Sequence, residues 1–516
     1  MQCEPATGAG RVGAVASFNL VVGSQHRFVR MANAAPVIEG GVWSADVTVQ
    51  NLTLQPMATL DGAQGEAEGV RVFFVEEPNN GVEVINHDDE GAFTGSEPQK
   101  YYAYSAALLG EDAILTPGET SGAKRWQFAL NGATEFQFSV LIWTRVPDPG
   151  AYSVHLTRLA AGVYHTCGES SDDKIYCWGA NGSGRLGDGS TLDRSTPVAV
   201  QIPAGVTLSG VSAGGAHTCA NASNGSVYCW GSNSFGQVGD GTTSARNTPV
   251  AVQAPAGVAL SGVSAGGNHT CANGSDGKVY CWGYNSLGQV GDSTNTTRYT
   301  PVAVKAPEGV SLSGVAAGAG HSCAEGSNGQ LYCWGSNNSG RLGDGTNTNS
   351  PAPVAVLAPS GVTLTGVSTR DNFTCAQGSD GKVYCWGNNV AGRLGDGTTT
   401  EHWTPVAVQA PAGVSLSAVS AGSGHACANG SNGKVYCWGT GLFGRIGNGS
   451  TGNSLIPAAV SVSEGVTLSG VTSGGYHSCA VSAAGPAYCW GQSQWGRLGD
   501  GRTSDSSVPV FVAGTH

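Results

Sequence analysis

Short apolar runs, broken at glycines, alternate with polar turns from about residue 152 to the end of the chain. In the unit that begins at Gly257, the runs GVALSGVSAG, HTCAN, KVYCWG and TPVAV are separated by turn sequences such as GSDG and GQVGD. None of these runs places apolar residues at the i, i+3, i+4 and i+7 spacing of a helix face. The pattern instead predicts short β-strands joined by turns rich in glycine, asparagine and aspartate.

The region before residue 150 shows a strict alternation of apolar and polar positions. It is clearest in two neighbouring runs, whose apolar positions are Trp126, Phe128 and Leu130 in one and Phe136, Phe138, Val140 and Ile142 in the other. Such a period of two indicates strands with one buried and one wet face, as in a β-sandwich. We expect a β-sandwich-like domain over residues 1–148 and a linker over residues 149–152.

The second part of the chain repeats every 52 residues. Pairs of cysteines ten residues apart recur seven times without a slip, and a tryptophan follows the second cysteine of every pair. The pairs are Cys167 with Cys177, Cys219 with Cys229, Cys271 with Cys281, Cys323 with Cys333, Cys375 with Cys385, Cys427 with Cys437, and Cys479 with Cys489. A fixed period of this length is typical of solenoids, propellers and arrays. Four short strands in each of seven units predict an all-β fold, a seven-bladed β-propeller over residues 153–516.

The two ends of the repeat region predict how the ring closes. The last copy stops at VPVFVAGTH and lacks the GVTLSGV run that follows the equivalent segment elsewhere. The segment SVHLTRLAAG, residues 153–162, aligns with that run and precedes the first cysteine pair. We therefore expect a strand at about residues 154–159 to complete the sheet begun by the C-terminal residues, which would remove exposed strand edges.

The repeated phrase resembles the regulator-of-chromosome-condensation repeat. Gly-Gly-x-His, Tyr-x-Trp-Gly and Gly-x-x-Gly-Asp-Gly recur together over residues 152–516. The resemblance implies a seven-bladed propeller. The eukaryotic namesake of the family is a chromatin-bound exchange factor for a small GTPase, and another relative is a secreted bacterial inhibitor of β-lactamases. The paired cysteines are an addition to the family pattern and resemble those of bacterial exported members.

Each cysteine pair is expected to form a disulfide. An antiparallel hairpin would place the HTC and VYCW cysteines side by side at a spacing that suits a disulfide. Closing each 11-residue loop stabilises the fold by roughly 2.8 kcal/mol in the chain-entropy model. Seven such bonds indicate an oxidising compartment outside the cytosol. Cys3 is left over, and it is a candidate lipid anchor, intermolecular bridge or free thiol.

Composition excludes several classes of function. The formal net charge of −12 disfavours nucleic acid as a partner. There is no apolar run long enough for a transmembrane segment, and the N-terminus as written is not a signal peptide, so we expect one to have been removed or left out. Histidine recurs before the first cysteine in six copies, but Phe373 stands in the fifth, which argues against a metal ring. No catalytic constellation, cofactor site or metal site is predicted.

Differences between the copies indicate where binding occurs. Aromatic residues stand in two variable loop stretches where other copies carry small residues. Loops on a rigid scaffold commonly carry binding sites, and aromatic side chains suit protein or glycan contacts. The alternative is that each aromatic residue fills a local gap. The candidate binding residues are Phe235, Tyr284, Tyr299, Trp403, Phe443 and Trp495.

Together these features predict a non-enzymatic extracellular or cell-surface protein. We expect it to bind a protein or glycan of the surface or matrix, as an adhesion or structural protein, and self-association is possible. One alternative is a subunit of an extracellular polymeric assembly. A second is a secreted module that recognises or inhibits an enzyme. A third is a nucleotide exchange factor for a small GTPase, against which the cysteines and the acidic charge both argue.

Overall fold

The computed structural model describes residues 154–515, apart from 463–465 and 483–484. Within residues 1–153 it describes eleven strands and the single residues Val82, Ile85, Asp88 and Asn131. The chain divides into two compact units, Met1–Ser153 and Val154–His516. Cys3, Leu130 and the expected linker at residues 149–152 lie outside the described residues. The described part contains no helix that is long and apolar enough to span a membrane.

The first unit contains two antiparallel sheets. Its strands are β1 (Ala6–Arg11), β2 (Ser17–Val21), β3 (Arg27–Asn33), β4 (Val37–Glu39), β5 (Val42–Asn51), β6 (Val70–Glu76), β7 (Glu83–Val84), β8 (Asp89–Gly91), β9 (Gln99–Tyr104), β10 (Lys124–Ala129) and β11 (Glu135–Thr144). One sheet has the order β1-β11-β6-β9-β8, and the other has the order β2-β3-β5-β10-β7 with β4 beside β5. Trp126 and Phe128 of β10 are buried, as their alternation with polar residues predicts.

The second unit is a seven-bladed propeller, in which every blade is a sheet of four consecutive antiparallel strands. Blades 1 to 3 contain β12 (Leu156–Ala161), β13 (His165–Ser170), β14 (Ile175–Gly179) and β15 (Arg194–Ala199); β16 (Leu208–Ala213), β17 (His217–Ala222), β18 (Val227–Gly231) and β19 (Arg246–Ala251); and β20 (Leu260–Ala265), β21 (His269–Gly274), β22 (Val279–Gly283) and β23 (Arg298–Ala303). Blades 4 and 5 contain β24 (Leu312–Ala317), β25 (His321–Gly326), β26 (Leu331–Gly335) and β27 (Ser350–Ala355); and β28 (Leu364–Thr369), β29 (Phe373–Gly378), β30 (Val383–Gly387) and β31 (His402–Ala407). Blades 6 and 7 contain β32 (Leu416–Ala421), β33 (His425–Gly430), β34 (Val435–Gly439) and β35 (Ser454–Ala459); and β36 (Leu468–Ser473), β37 (His477–Ser482), β38 (Ala487–Gly491) and β39 (Ser506–Phe511). Single 3-10 turns at Asn338–Gly340, Val390–Gly392, Leu442–Gly444 and Gln494–Gly496 follow the third strand of blades 4 to 7.

The ring closes differently from the sequence expectation. The sequence predicts that residues 154–159 complete the last sheet, but β12 pairs with β13 in the first blade, and β36–β39 form a complete sheet of their own. A short loop joins β12 to β13, so the local hairpin forms in preference to a strand exchange. The chain ends meet only at a parallel bridge between Val154 and Thr515. Blades 7 and 1 are joined by the same kinds of side-chain contact as the other neighbouring blades.

All seven disulfides that the sequence predicts are present. In blade 3, Cys271 and Cys281 face each other across the β21–β22 ladder, with Cα atoms 4.1 Å apart. The bonds join Cys167 to Cys177, Cys219 to Cys229, Cys271 to Cys281, Cys323 to Cys333, Cys375 to Cys385, Cys427 to Cys437, and Cys479 to Cys489. Every blade therefore has one disulfide between its second and third strands.

A tryptophan of the next blade packs on each disulfide. In blade 2, Cys219 and Cys229 belong to one buried cluster with Trp282 of blade 3. The same arrangement recurs around the ring and includes Trp178 of blade 1 against the last disulfide, Cys479 with Cys489. The disulfides therefore lie in the cores between blades.

A glycine makes room for each tryptophan. Gly239 has a φ of +78°, and a Cβ atom built on it would lie 2.5 Å from Nε1 of Trp282. Glycine is required here for both reasons, the left-handed backbone and the close approach of the indole. The indole N–H donates to the Gln237 carbonyl oxygen at 3.0 Å, which fixes the ring across the blade boundary.

The repeated histidines form a second ring of contacts between blades. His217 Nε2 lies 2.9 Å from the Thr270 hydroxyl of the next blade, and His477 Nε2 lies 2.7 Å from the Thr166 hydroxyl, which closes the ring. Each hydroxyl also donates to a backbone carbonyl, as Thr270 does to Gln237 at 2.8 Å. Between blades 5 and 6 both members of the pair change together, since Phe373 and Ala426 are apolar. Burial lowers the pKa of these histidines, to about 3 for His217 and about 4 for His269.

Candidate binding face

The variable loops all emerge at one end of the propeller. In each blade the loop after the first strand and the loop after the third strand lie at the same end, because neighbouring strands are antiparallel. We call this end the loop face. Both kinds of loop meet across blade boundaries, where Arg341 Nη1 donates to the Asp371 carbonyl oxygen at 3.0 Å. Residues from two blades therefore shape each part of the loop face.

A buried asparagine holds the loop after the third strand. In blade 2, Asn233 Nδ2 donates to the carboxylate of Asp240 at 3.1 Å and to the carbonyl oxygens of Thr242 and Ser244 at 3.0 and 3.1 Å. Its own carbonyl oxygen accepts from the Val238 N–H at 3.0 Å. Equivalent asparagines occupy blades 1, 3, 4 and 5, while Gly441 and Ser493 stand in blades 6 and 7. The loop is therefore a rigid support for the residues at its tip.

The repeated aspartates stabilise the same loops through hydrogen bonds. Asp240 accepts from the hydroxyl and the N–H of Thr242 at 2.8 and 3.0 Å and pairs with Arg246 at 2.6 Å. Burial alone would raise the pKa of Asp240, but the Thr242 bonds and the Arg246 guanidinium hold it below its usual value. The carboxylate oxygens are thus satisfied by the chain itself. Among the described residues no cluster of three or more His, Cys, Asp or Glu side chains is spaced to hold a metal ion.

Arginines surround the centre of the loop face. In five blades the loop after the third strand carries one at the same position: Arg185, Arg341, Arg393, Arg445 and Arg497. Arg497 Nε donates to Gln494 O at 3.0 Å within its own blade, and Nη1 donates to Val163 O of blade 1 at 3.3 Å. Burial lowers the pKa of Arg497 to about 10, so the guanidinium remains charged at neutral pH. A chain with a formal net charge of −12 therefore carries five arginines at this end, in blades 1 and 4 to 7, while Gln237 and Gln289 stand in blades 2 and 3.

One aromatic cluster spans blades 6, 7 and 1. Tyr164 and Tyr476 stack with ring centroids 6.4 Å apart, and Trp495 meets Tyr164 edge-on at 5.7 Å. The Arg497 guanidinium lies 5.1 Å from the Trp495 ring and 5.5 Å from the Tyr476 ring. Phe443 joins this cluster through Arg445, whose guanidinium lies 5.7 Å from the centre of the Phe443 ring. Aromatic rings and guanidinium groups in this arrangement attract each other through cation–π contacts.

A second aromatic cluster spans blades 2 and 3. The rings of Phe235 and Tyr284 lie 4.8 Å apart, with an angle of 58° between their planes. Tyr299 packs beside them over Gly236, where an added Cβ would lie 2.5 Å from its ring. Phe235 and Tyr299 are 38% and 47% exposed, so these rings face solvent at the outer part of the face.

The remaining candidate lies apart from both clusters. Trp403 covers Gly340 of the preceding blade, and its indole N–H donates to Glu401 at 3.0 Å while the ring stays 38% exposed. The structure thus places the six candidates on the loop face as two groups and one separate residue. Their role in binding remains a prediction.

Sequence reasoning missed three contributors to this face. Tyr164 and Tyr476 precede the repeated histidine, where the other copies carry small or polar residues. The arginines follow a repeated glycine and resemble ordinary surface residues in the sequence. Arg370 replaces a glycine found in the other six copies. The last of these signals could have been found by comparing the copies.

Comparisons with known proteins concern the propeller. The family model for the "Regulator of chromosome condensation (RCC1) repeat" matches residues 172–220, 224–272, 276–324, 328–377, 380–428 and 432–481. The ultraviolet-B receptor UVR8 of Arabidopsis thaliana is 31% identical over 355 residues, which cover 69% of this chain and 81% of the receptor. The human E3 ubiquitin-protein ligase HERC2 is 29% identical over 350 residues, 66% of this chain but only 7% of that protein.

Solved structures show the same fold. Human WBSCR16 superposes with a TM-score of 0.59 and 22% identity, covering 66% of this chain and 93% of that one. Prp20p from Saccharomyces cerevisiae, studied for its binding to Gsp1p and histones, gives a TM-score of 0.56 and 21% identity, covering 64% of this chain and 83% of that one. At this level of identity the likeness concerns the fold alone.

Proposed function

This chain belongs to the regulator of chromosome condensation (RCC1) repeat family, and on that premise we propose that it is an exported, non-enzymatic binding protein. In this proposal the loop face of the propeller contacts a protein or glycan outside the cell. The disulfides keep the scaffold rigid while the loops carry the contacts. Rigid presentation lowers the entropy that is lost when a partner binds.

The observation that carries the proposal is a set of aromatic residues on the loop face, two of which lie at the tips of the loops in blades 6 and 7. Phe443 and Trp495 have φ values of +65° and +64°, a conformation that the turn also gives to Ser339 and Ala391 at the same position of blades 4 and 5. Bulky residues rarely adopt this left-handed region, so the turn itself does not explain why aromatic side chains stand there. Trp495 is also 37% exposed and lies against Arg497. Tryptophan and arginine are the residues most enriched among strong contributors to protein interfaces.

Seven buried disulfides support an extracellular location. Disulfides persist in oxidising compartments and are rare in the cytosol. All fourteen cysteines of the propeller are paired, and their side chains are fully buried between blades. In a reducing compartment the same positions would hold buried free thiols without this stabilisation. The seven cysteine pairs therefore favour a location outside the cell, where they form stabilising disulfides.

The test compares two sets of variants of the full chain in binding to cells and extracellular material of the source organism. The first set replaces four aromatic residues of the loop face by serine: Tyr284, Trp403, Phe443 and Trp495. The matched control replaces Lys278, Lys382 and Lys434 by serine, in hairpins between the second and third strands at the opposite end. We expect the first variant to lose at least tenfold in affinity and the control to bind like the parent.

The result that contradicts the proposal is equal binding by the parent and the aromatic variant. Loss of binding in the lysine control alone would move the interface to the opposite end. Each alternative function predicts a different experimental result. A polymer subunit would show a molar mass in solution above that of a monomer, and a module that recognises an enzyme would bind a purified enzyme one to one. An exchange factor would accelerate nucleotide release from a small GTPase.

A further inference from the structure

The inner strands of the propeller enclose a cavity along its axis. Its volume is about 470 Å³, and all seven blades contribute to its wall. A cavity of this size accommodates a small ligand or the end of a chain. The described wall consists of glycine, alanine, valine, leucine, serine and threonine residues with one asparagine and two arginines, Arg158 and Arg370. No carboxylate is among these wall residues.

Arg370 occupies a position that is glycine in the other six blades. A Cβ atom on the equivalent Gly214 would lie 2.5 Å from a carbonyl oxygen of the next blade and 2.8 Å from the His217 ring. A side chain at this position therefore conflicts with the histidine. In blade 5 the histidine is replaced by Phe373, and its hydroxyl partner is replaced by Ala426. The replacement of glycine by Arg370 is thus accompanied by the loss of one histidine–hydroxyl hydrogen bond between blades.

The guanidinium of Arg370 reaches across the axis. Nη2 donates to Ala161 O of blade 1 at 2.9 Å, and Nη1 donates to Ala213 O of blade 2 at 3.4 Å. Nε is buried and has no hydrogen-bond partner. Since a guanidinium carries five N–H donors, the two bonds to carbonyl oxygens leave one further N–H on Nη1 and one on Nη2.

Two hydroxyl groups of the same wall are also unsatisfied. Thr369 and Ser473 are 7% and 3% exposed, and neither hydroxyl has a hydrogen-bond partner. At this position five other blades carry alanine. By contrast, the hydroxyls one residue earlier are occupied, as Ser420 Oγ accepts from the Ser473 N–H at 2.8 Å. Both hydroxyl oxygens, like Arg370 Nε, are closed to solvent, so they lie behind the surface of the cavity and leave the Nη groups of Arg370 as its polar donors.

The charge of Arg370 is not balanced by a bound carboxylate. Enclosure in the channel lowers its pKa to about 10, and the nearby Asp371 offsets only part of this effect, so the group is a cation at neutral pH. Near the opposite end of the inner strands, Glu169 and Glu325 accept from the backbone N–H groups of Val211 and Gly366, both at 2.7 Å. An enclosed cation without a counter-ion is unfavourable, and an incoming anion would relieve that cost.

We propose that the axial cavity is a binding site for an oxyanion, held by the Nη N–H groups of Arg370. A carboxylate or a tetrahedral oxyanion accepts hydrogen bonds from these N–H groups, and guanidinium groups bind such anions strongly. The site is separate from the aromatic clusters of the loop face, so it stands whether or not that face binds a macromolecule. Two sources share this chemistry, a free small acid or inorganic anion and the C-terminal carboxylate of a peptide.

The test is calorimetric titration of the full oxidised chain in a buffer without competing oxyanions. The probes are succinate, inorganic sulfate, and a hexapeptide with either a free or an amidated C-terminus. The parent is compared with Arg370→Met and with a variant that restores the pattern of the other blades, Arg370→Gly, Phe373→His and Ala426→Ser. The restored variant is expected to fold because the other six blades already combine the glycine, the histidine and a hydroxyl residue. Arg502→Met, an exposed arginine outside the cavity, is the control for general charge effects.

We expect one-to-one binding of at least one probe by the parent and by Arg502→Met, and at least tenfold weaker binding by both Arg370 variants. Binding of succinate or sulfate identifies a free anion as the ligand. Binding of the free-acid peptide, but not of its amide or the small anions, identifies a chain terminus. The proposal is overturned if the parent binds none of the four probes, or if the restored variant binds them as tightly as the parent.

Discussion

Acidification below pH 6.5 is expected to destabilise the propeller through its buried histidines. The six that form the inter-blade ring are His165, His217, His269, His321, His425 and His477. Burial lowers the pKa of all six in the folded state, which therefore keeps them neutral. The unfolded chain binds protons at an ordinary pKa of about 6.5. Unfolding thus becomes more favourable as the pH falls from about 6.5 towards the folded values near 3 to 4.

The size of this effect follows from proton linkage. Relative to pH 7, the free energy of unfolding at pH 5 falls by about 2 kcal/mol for each of His217 and His269, and the other four histidines act in the same direction. The loop aspartates that pair with arginine act in a lower pH range, whereas burial raises the pKa of Asp500. The pKa of Asp240 is lowered in the folded state, so its contribution is present above the unfolded value of about 4 and is lost below it. The interval from pH 5 to 7 therefore reports on the histidines.

The assay is urea unfolding with the disulfides intact, at several pH values between 5 and 7.5. The change in unfolding free energy with pH gives the number of protons taken up on unfolding. The matched variant is His217→Phe with Thr270→Ala, because Phe373 of blade 5 and Ala426 of blade 6 already form that pair. It should fold and take up about one proton fewer than the parent at pH 5. An unchanged proton number, or equal stability of the parent at pH 5 and 7, would refute the account of the histidine ring.

Two further predictions concern the inter-blade cores. Gly239→Ala should lower the free energy of unfolding by more than about 2 kcal/mol, since it combines a left-handed φ with a clash against Trp282. Gly257→Ala, with a φ of +76° and open space around it, should lower it by about 1 kcal/mol. Equal losses for the two variants in urea unfolding would show that the indole contact is unimportant. Replacing Cys271 and Cys281 together by alanine should lower the unfolding free energy by roughly 3 kcal/mol, while the propeller keeps its far-ultraviolet circular dichroism spectrum. An unchanged midpoint of unfolding would mean that this disulfide does not stabilise the blade.

The blade architecture was predictable because its determinants are local and repeated. The distance between the two cysteines of a pair indicates a hairpin, and the register places Cys271 opposite Cys281 as expected. The 52-residue period then gives the number of blades. The way the ring closes was not predictable in the same manner. Residues 154–159 have the pattern of an inner strand, which fits pairing with β13 and pairing with the last blade equally well. Only the short loop between β12 and β13 favours pairing with β13.

The candidate binding face was predictable in part. Aromatic residues such as Trp403 stand out where other copies carry small residues, so comparison of the copies found them. The arginines did not stand out, because their role depends on reaching a carbonyl oxygen of the neighbouring blade, as Arg497 does at Val163. Contacts of this kind join residues far apart in the chain, and no local pattern signals them. Arg370 was visible as a departure from glycine, but its meaning required the axial cavity.

The most direct test of an exported, disulfide-stapled binding propeller is the number of free thiols in the protein isolated from its native source. Intact mass is measured with and without reductant after the free thiols have been blocked. The account predicts seven disulfides, with only Cys3 left to react or to carry a lipid or an intermolecular bond. Fifteen reactive thiols would contradict export, and the search for partners would then move to the cytosol and to small GTPases.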